Sequence, residues 1–143
     1  LEAVQGTDFS VVTLSGQNYT LSSSRGKVVI LNFMHTSCQY CRAEMPQLKM
    51  VWDAYGGKVV MISISTDPLS DTDEILRDFA SSYGANWIWT RDVASATISY
   101  QVPVYFSTPT TYIIDQEGLI RYRHVGYTEA PTFMNELDIL VNS

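Results

Sequence analysis

The sequence predicts an α/β sandwich, a mixed central sheet flanked by helices, in one domain spanning residues 1–143. Two observations carry that prediction. First, two nearly continuous β-branched runs, VVILNF at Val28–Phe33 and VVMISIS at Val59–Ser65, flank a helical pattern. Strand, helix, strand at this spacing is a βαβ unit, so the two strands run parallel. Second, TTYIID at Thr110–Asp115 and LIRYRHV at Leu119–Val125 are separated only by Gln116, Glu117 and Gly118. So short a link makes them antiparallel neighbours. Parallel and antiparallel pairs in one chain give a mixed sheet, which helices must cover.

The elements follow in order. FSVVTLSGQNYTL, Phe9 to Leu21, reads as a leading hairpin, because β-rich runs flank the turn residues Ser15, Gly16, Gln17 and Asn18. Val28–Phe33 has the unbroken apolar character of a strand buried on both faces. After it, Leu48, Val51, Trp52 and Tyr55 recur at helical spacing until Gly56 and Gly57 stop them. Pro46 inside this helix should kink it. Ser70 and Asp73 form an expected capping box ahead of Ile75, Leu76 and Phe79, and Gly84 ends that helix. Asn86–Thr90 reads as a strand and Ala94–Tyr100 as a short helix. Pro131–Val141 closes the chain as a helix with Phe133, Leu137 and Leu140 on one face.

Composition narrows the function. A chain of this length buries roughly 68–70% of its unfolded surface, so its core needs no covalent staple. The net charge is −6 and no run of Lys or Arg stands out, which argues against nucleic acid and anionic membrane as partners. Asp67, Asp71, Asp73, Glu74 and Asp78 cluster, and the plain reading of them is a solvated helix face. The longest apolar run, VVILNFM, is interrupted by Asn32 and falls short of the ~18–20 residues of a membrane span. No signal peptide is visible, and the first residue is Leu1 rather than Met. That start leaves room for an export signal or membrane anchor ahead of it.

The chemistry centres on the only two cysteines, Cys38 and Cys41, in NFMHTSCQYCRAEMP. A bridge between residues three apart removes little unfolded-state entropy, so the pair reads as reactive rather than structural. Cys38 falls just after a buried strand and at the start of a helix. Unpaired N–H groups there favour a thiolate. Cys41, one turn further in, lies on the same face, roughly 5–6 Å away between Cβ atoms. It is expected to be the more buried, resolving thiol. Cys-x-x-Cys beside a βαβ unit is a redox pattern that needs no cofactor. Three alternatives stand beside it. Zinc would draw on His35 and His124, whose spacing fits no usual finger. Cu(I) suits soft thiolates. Two inert core cysteines are the third.

The chain resembles the thioredoxin superfamily, and within it the TlpA/ResA-type thiol–disulfide oxidoreductases, which are exported or membrane-tethered. The resemblance runs through DFSVVTLSGQNYTL, KVVILNFMHTSC, CQYCRAEMP, VVMISIST and STPTTYIIDQEGLIRYRHVG. It implies a thioredoxin-like fold with an N-terminal β-hairpin and a helical insertion after the βαβ unit. It further implies that Cys38 is the nucleophile and Cys41 the resolving cysteine. Pro109 matches a proline held in cis, which turns the Thr108 backbone toward the cysteines and an extended substrate. Glu44 matches a glutamate that tunes cysteine protonation, and its position equally allows an exposed helix glutamate. A nearby carboxylate raises a thiol pKa, and burial raises its own.

Departures from the family matter too. Asn32 stands where plain thioredoxins carry an acid, and it cannot exchange protons. Ser37 replaces a usual tryptophan, and His35 reads as a packed or surface histidine. Gln39 and Tyr40 lie between the cysteines and face substrate, Tyr40 with a flat apolar ring. They add no fixed charge to stabilise a thiolate, so a reducing or intermediate potential is expected. Copper-delivering relatives space their cysteines by three residues and place a histidine near the cis-proline loop, unlike this chain. The implied activity is reduction of disulfides in exported proteins, with cytochrome c maturation as one target. A copper or zinc carrier is the alternative. The implied partners are a disulfide-containing protein and an upstream thiol electron donor. The implied location is extracytoplasmic, with the cytoplasm as the alternative.

Overall fold

The computed structural model describes residues 4–91 and 108–142. The chain opens with β1 (Val4–Gln5), β2 (Ser10–Val12) and β3 (Asn18–Thr20), then a 3-10 turn at Leu21–Ser24. Next come β4 (Val28–Met34), α1 (Gln39–Tyr55), β5 (Val59–Ser65), α2 (Asp73–Ser82) and β6 (Ile88–Thr90). The last elements are β7 (Thr110–Ile114), β8 (Leu119–Val125) and α3 (Ala130–Val141). The helix expected at Ala94–Tyr100 lies outside the described residues.

Six strands form one mixed sheet in the order β1-β8-β7-β4-β5-β6, and β2 and β3 form a separate hairpin. β4 runs parallel to β5 and antiparallel to β7. β7 and β8 are antiparallel neighbours. This is the thioredoxin-like arrangement with the leading hairpin. The insertion is α2 with β6, which adds a parallel strand outside β5. β1 was not foreseen, since two residues carry no alternation. It pairs with β8 through Val4 opposite Ile120 and Gln5 opposite Leu119.

Every residue of β4 and of β7 is buried, which explains their unbroken apolar character. The alternating side chains build two cores. On one face Val28, Ile30 and Met34 pack with Met45, Leu48 and Val51 of α1, Leu76 of α2, and Phe133, Leu137 and Leu140 of α3. On the other face Val29, Leu31 and Phe33 pack with Phe9, Val11, Tyr19 and Leu21 of the hairpin region. Each large apolar side chain so buried contributes about 1.5–3 kcal/mol.

One local expectation changes. The cap of α2 is Thr72, whose side chain accepts from the Ile75 N–H, and not Ser70. The Ser70 N–H instead donates to the Asp67 carbonyl in the preceding turn. In α1, Pro46 lies inside a helix that continues unbroken from Gln39 to Tyr55, with buried Met45 and Leu48 beside it. Packing of the apolar face outweighs the one backbone hydrogen bond that proline cannot donate.

α3 docks through that face, and polar ties from Gln47, Tyr55, Gln116 and His124 add to it. Phe133 is fully buried and meets the His124 ring edge-on at 5.5 Å. Phe133→Ala is therefore expected to lower unfolding free energy by about 3–5 kcal/mol, read as an earlier urea midpoint.

Candidate active site

β4 delivers the chain to the site. Its last residue, Met34, is tied to the neighbouring strand end by the Thr66 N–H, which donates to the Met34 carbonyl at 2.8 Å. Four residues later Cys38 caps α1 with extended backbone angles, φ −78° and ψ 115°. The Cys41 N–H donates to Cys38 Sγ at 3.2 Å. Cys38 and Cys41 are joined as a disulfide, with their Cα atoms 5.1 Å apart. Cys38 retains 9% of its exposure and Cys41 2%, so an attacking partner meets Cys38. The helix-start amide that bonds Cys38 Sγ would stabilise negative charge on it after reduction.

The other wall is the Thr108–Pro109 turn. That peptide bond is cis. The Thr108 carbonyl lies 3.5 Å from Cys38 Sγ, a place where a reduced thiol can donate. The Pro109 carbonyl accepts from the Gly126 N–H at 2.7 Å, which fixes the turn against the end of β8. Gln39 is exposed, and Tyr40 is 62% exposed beside the pair. Cys38, Cys41, Gln39, Tyr40, Thr108 and Pro109 thus gather around one disulfide.

Glu44 comes from the same helix as Cys41 but points inward and is fully buried. Its Oε2 accepts from the Thr128 N–H at 2.9 Å, and its Oε1 lies 3.4 Å from the Asn32 amide nitrogen. Burial pushes its pKa up to about 8, against the lowering effect of the Thr128 N–H. The exposed helix glutamate that its sequence position also allowed is ruled out. One turn separates it from Cys41, so the two groups share a face of α1.

Sequence reasoning missed Asp71. It belongs to the acidic cluster taken as a solvated face, yet it is buried. Its carboxylate accepts from the Thr36 N–H at 3.1 Å, from the Thr36 hydroxyl, and from the Ser65 hydroxyl at 2.7 Å. It therefore pins the loop that carries Cys38. The spacing of Asp71 gives no hint of this, because its partners lie in two other segments.

The histidines take separate places. His124 Nε2 lies 2.7 Å from Glu136 of α3, and His35 is half-buried. Among the described residues, no group of three or more His, Cys, Asp or Glu side chains comes together in a metal-binding arrangement. Among the same residues, no helix is long and apolar enough to cross a membrane.

Comparison with known proteins agrees with this geometry. The AhpC/TSA family model matches residues 4–123. The thioredoxin-like protein YneN of Bacillus subtilis is 33% identical over 138 residues, covering 96% of this chain and 79% of that protein. The thiol-disulfide oxidoreductase ResA of Bacillus thuringiensis is 30% identical over 124 residues, covering 85% and 68%. Among solved structures, a DsbF homologue from Corynebacterium diphtheriae superposes with a TM-score of 0.85 at 22% identity, covering 97% of this chain and 88% of that one. That likeness speaks for the fold.

The Glu44 environment predicts a pH effect on stability. The folded, oxidised protein holds the Glu44 proton more tightly than the unfolded chain does. Its stability should therefore fall as pH rises from the ordinary value of 4.5 to about 8, and this group adds no further change above that. Urea unfolding of the oxidised protein at several pH values reads this slope. Glu44→Gln should flatten it, and an unchanged slope would mean that Glu44 ionises normally.

Proposed function

The chain belongs to the AhpC/TSA family, and we propose that its Cys38–Cys41 couple works in the reducing direction on disulfides of exported proteins. It is a thiol–disulfide oxidoreductase of the ResA type. The observation that carries the proposed direction and roles is the asymmetry of the pair. One sulfur is reachable at the head of α1 beside the Thr108 carbonyl, and the other is buried, three residues before the buried Glu44 on the same helix.

The cycle starts from the dithiol. Cys38 as thiolate attacks one sulfur of a substrate disulfide. The substrate S–S bond breaks, and its other sulfur leaves as a thiolate. The product is a mixed disulfide on Cys38. The Cys41 thiol then gives its proton to the Glu44 carboxylate, and the Cys41 thiolate attacks Cys38 Sγ. This forms the Cys38–Cys41 bond and releases the second substrate sulfur as a thiolate. Two electrons have passed from the enzyme to the substrate. An upstream dithiol donor restores the starting state by the same exchange in reverse.

The Thr108 backbone offers an extended substrate a hydrogen-bonding edge, and Tyr40 offers it an apolar surface. Gln39 and Tyr40 bring no cation to hold Cys38 as a thiolate. Glu44, when ionised, opposes a second negative charge on the nearby Cys41. Both effects make the reduced form less stable than in a strong oxidant, which supports donation of electrons. The working place we propose is extracytoplasmic, as for the resembled TlpA/ResA type. Cytochrome c maturation is the target class drawn from that resemblance.

Cys38→Ala is expected to abolish insulin disulfide reduction, while Cys41→Ala accumulates mixed disulfides visible on non-reducing gels. Activity retained in Cys38→Ala, with nothing trapped by Cys41→Ala, would reverse the role assignment. Equilibration with thiol buffers should give a potential more negative than roughly −180 mV, the region of protein disulfide isomerase. A value near the roughly −120 mV of strong oxidants would overturn the direction.

A further inference from the structure

One polar row crosses the apolar face of the sheet beneath α1. Cross-strand pairing sets Ser63 of β5 beside Asn32 of β4, and Asn32 beside Thr111 of β7. All three are buried among apolar neighbours. Trp87 lies just ahead of β6 and is buried as well. Buried polar groups must find partners, and these find one another in a fixed order.

That order has a direction. The Trp87 indole N–H can only donate, and it donates to the Ser63 hydroxyl oxygen at 2.9 Å. The Ser63 hydroxyl donates in turn to Asn32 Oδ1 at 2.9 Å. With Oδ1 so engaged, the Asn32 amide nitrogen is turned toward Glu44 Oε1 and Thr111 Oγ1, each at 3.4 Å. A flipped Asn32 would aim a second donor at Ser63 and leave the Ser63 hydrogen without this acceptor.

We infer that Ser63 and Trp87 are positioning residues, which lock Asn32 as a donor to Glu44 and so set the pH at which Glu44 takes a proton. This rests on the proposed role of Glu44 as the proton acceptor for Cys41. The physical point is selectivity between two protonation states. A free asparagine serves both, giving an N–H to a carboxylate or accepting from a carboxylic acid through its oxygen. A locked one serves only the carboxylate. The lock therefore opposes the effect of burial and holds the proton affinity of Glu44 down.

The surroundings leave few rivals for this control. On the elements around Glu44, β4 and β7 present the uncharged Asn32 and Thr111. The loop before α3 presents the Thr128 N–H, while its Tyr127 and Glu129 side chains are exposed. His124 of β8 pairs with Glu136 of α3. Among the described residues at this end of α1, Tyr40 and Arg42 are exposed and Asp71 is bound to Thr36 and Ser65, while Cys38 and Cys41 become ionisable once reduced.

The test is the carbon-13 NMR titration of the Glu44 side-chain carboxyl in the oxidised protein, assigned by its disappearance in Glu44→Gln. Ser63→Ala frees Asn32 to flip and should raise the midpoint by about one pH unit. Ser63→Thr keeps the hydroxyl and should restore the original value. Trp87→Phe removes only the first donor and should raise the midpoint by less. Equal midpoints in folded wild-type and Ser63→Ala protein would overturn the inference. Should Ser63→Ala fail to fold, Trp87→Phe decides by the same measure. The titration uses no substrate. A flat result would thus leave the dithiol cycle standing, and failure of the Cys38 and Cys41 variants would leave the titration standing.

Discussion

The structure depends on the burial of β4. That strand has neighbours on both edges and packed side chains on both faces, so all seven of its residues are buried. A strand in that position can hold exposed, reactive groups only where it ends. The next turn of chain is the first turn of α1, whose N–H groups have no partner within the helix. One of these meets a sulfur at 3.2 Å. The location of the cysteines and the bias toward a thiolate on Cys38 thus have a single origin, the switch from central strand to helix.

Holding that switch still requires segments far apart in sequence. Asp71 reaches from beyond β5 to bind Thr36, and the Thr108–Pro109 turn approaches Cys38 from the start of β7. Gln47 of α1 accepts from the Ala130 N–H at 2.8 Å and so ties the site helix to α3. None of these contacts joins sequence neighbours. The loop itself is short, polar and without apolar anchorage. Its geometry is set by the donors and acceptors around it rather than by its own residues.

This separates what could be read in the sequence from what could not. Buried strands, amphipathic helices and the cysteine spacing are local signals, and they placed β4, α1, β5, β7, β8 and α3 correctly. The α2 cap was misplaced by two residues because Ser70 and Thr72 offer similar hydroxyls and only tertiary contacts choose between them. β1 was missed because its two residues are defined by pairing with β8 alone. Asp71 was misread for a deeper reason. Its neighbours in sequence are solvated, while its partners, Thr36 and Ser65, are contributed by other segments. Glu44 sat between two readings until the fold buried it. Asn32 was noticed as a residue unable to carry a proton, but its coupling to Ser63 and Trp87 exists only once three strands are side by side.

That last coupling bears on how such a site handles charge. During resolution a proton and a negative charge must part inside a region with few polar groups. Water cannot reorganise there to help, so the donors must already be in place. Thr128 supplies a backbone N–H to one oxygen of Glu44, and Asn32 faces the other from a longer distance. Backbone donors cannot turn away, and an asparagine held by Ser63 cannot either. Both are arranged for the carboxylate, whereas burial favours the acid. The two tendencies oppose each other, and the balance places the titration within reach of neutral pH instead of far above it. An acid that burial alone controlled would hold its proton throughout and could accept none from Cys41. On the inference drawn above, the polar row would join the Thr128 N–H in keeping a fully buried glutamate available to a buried thiol.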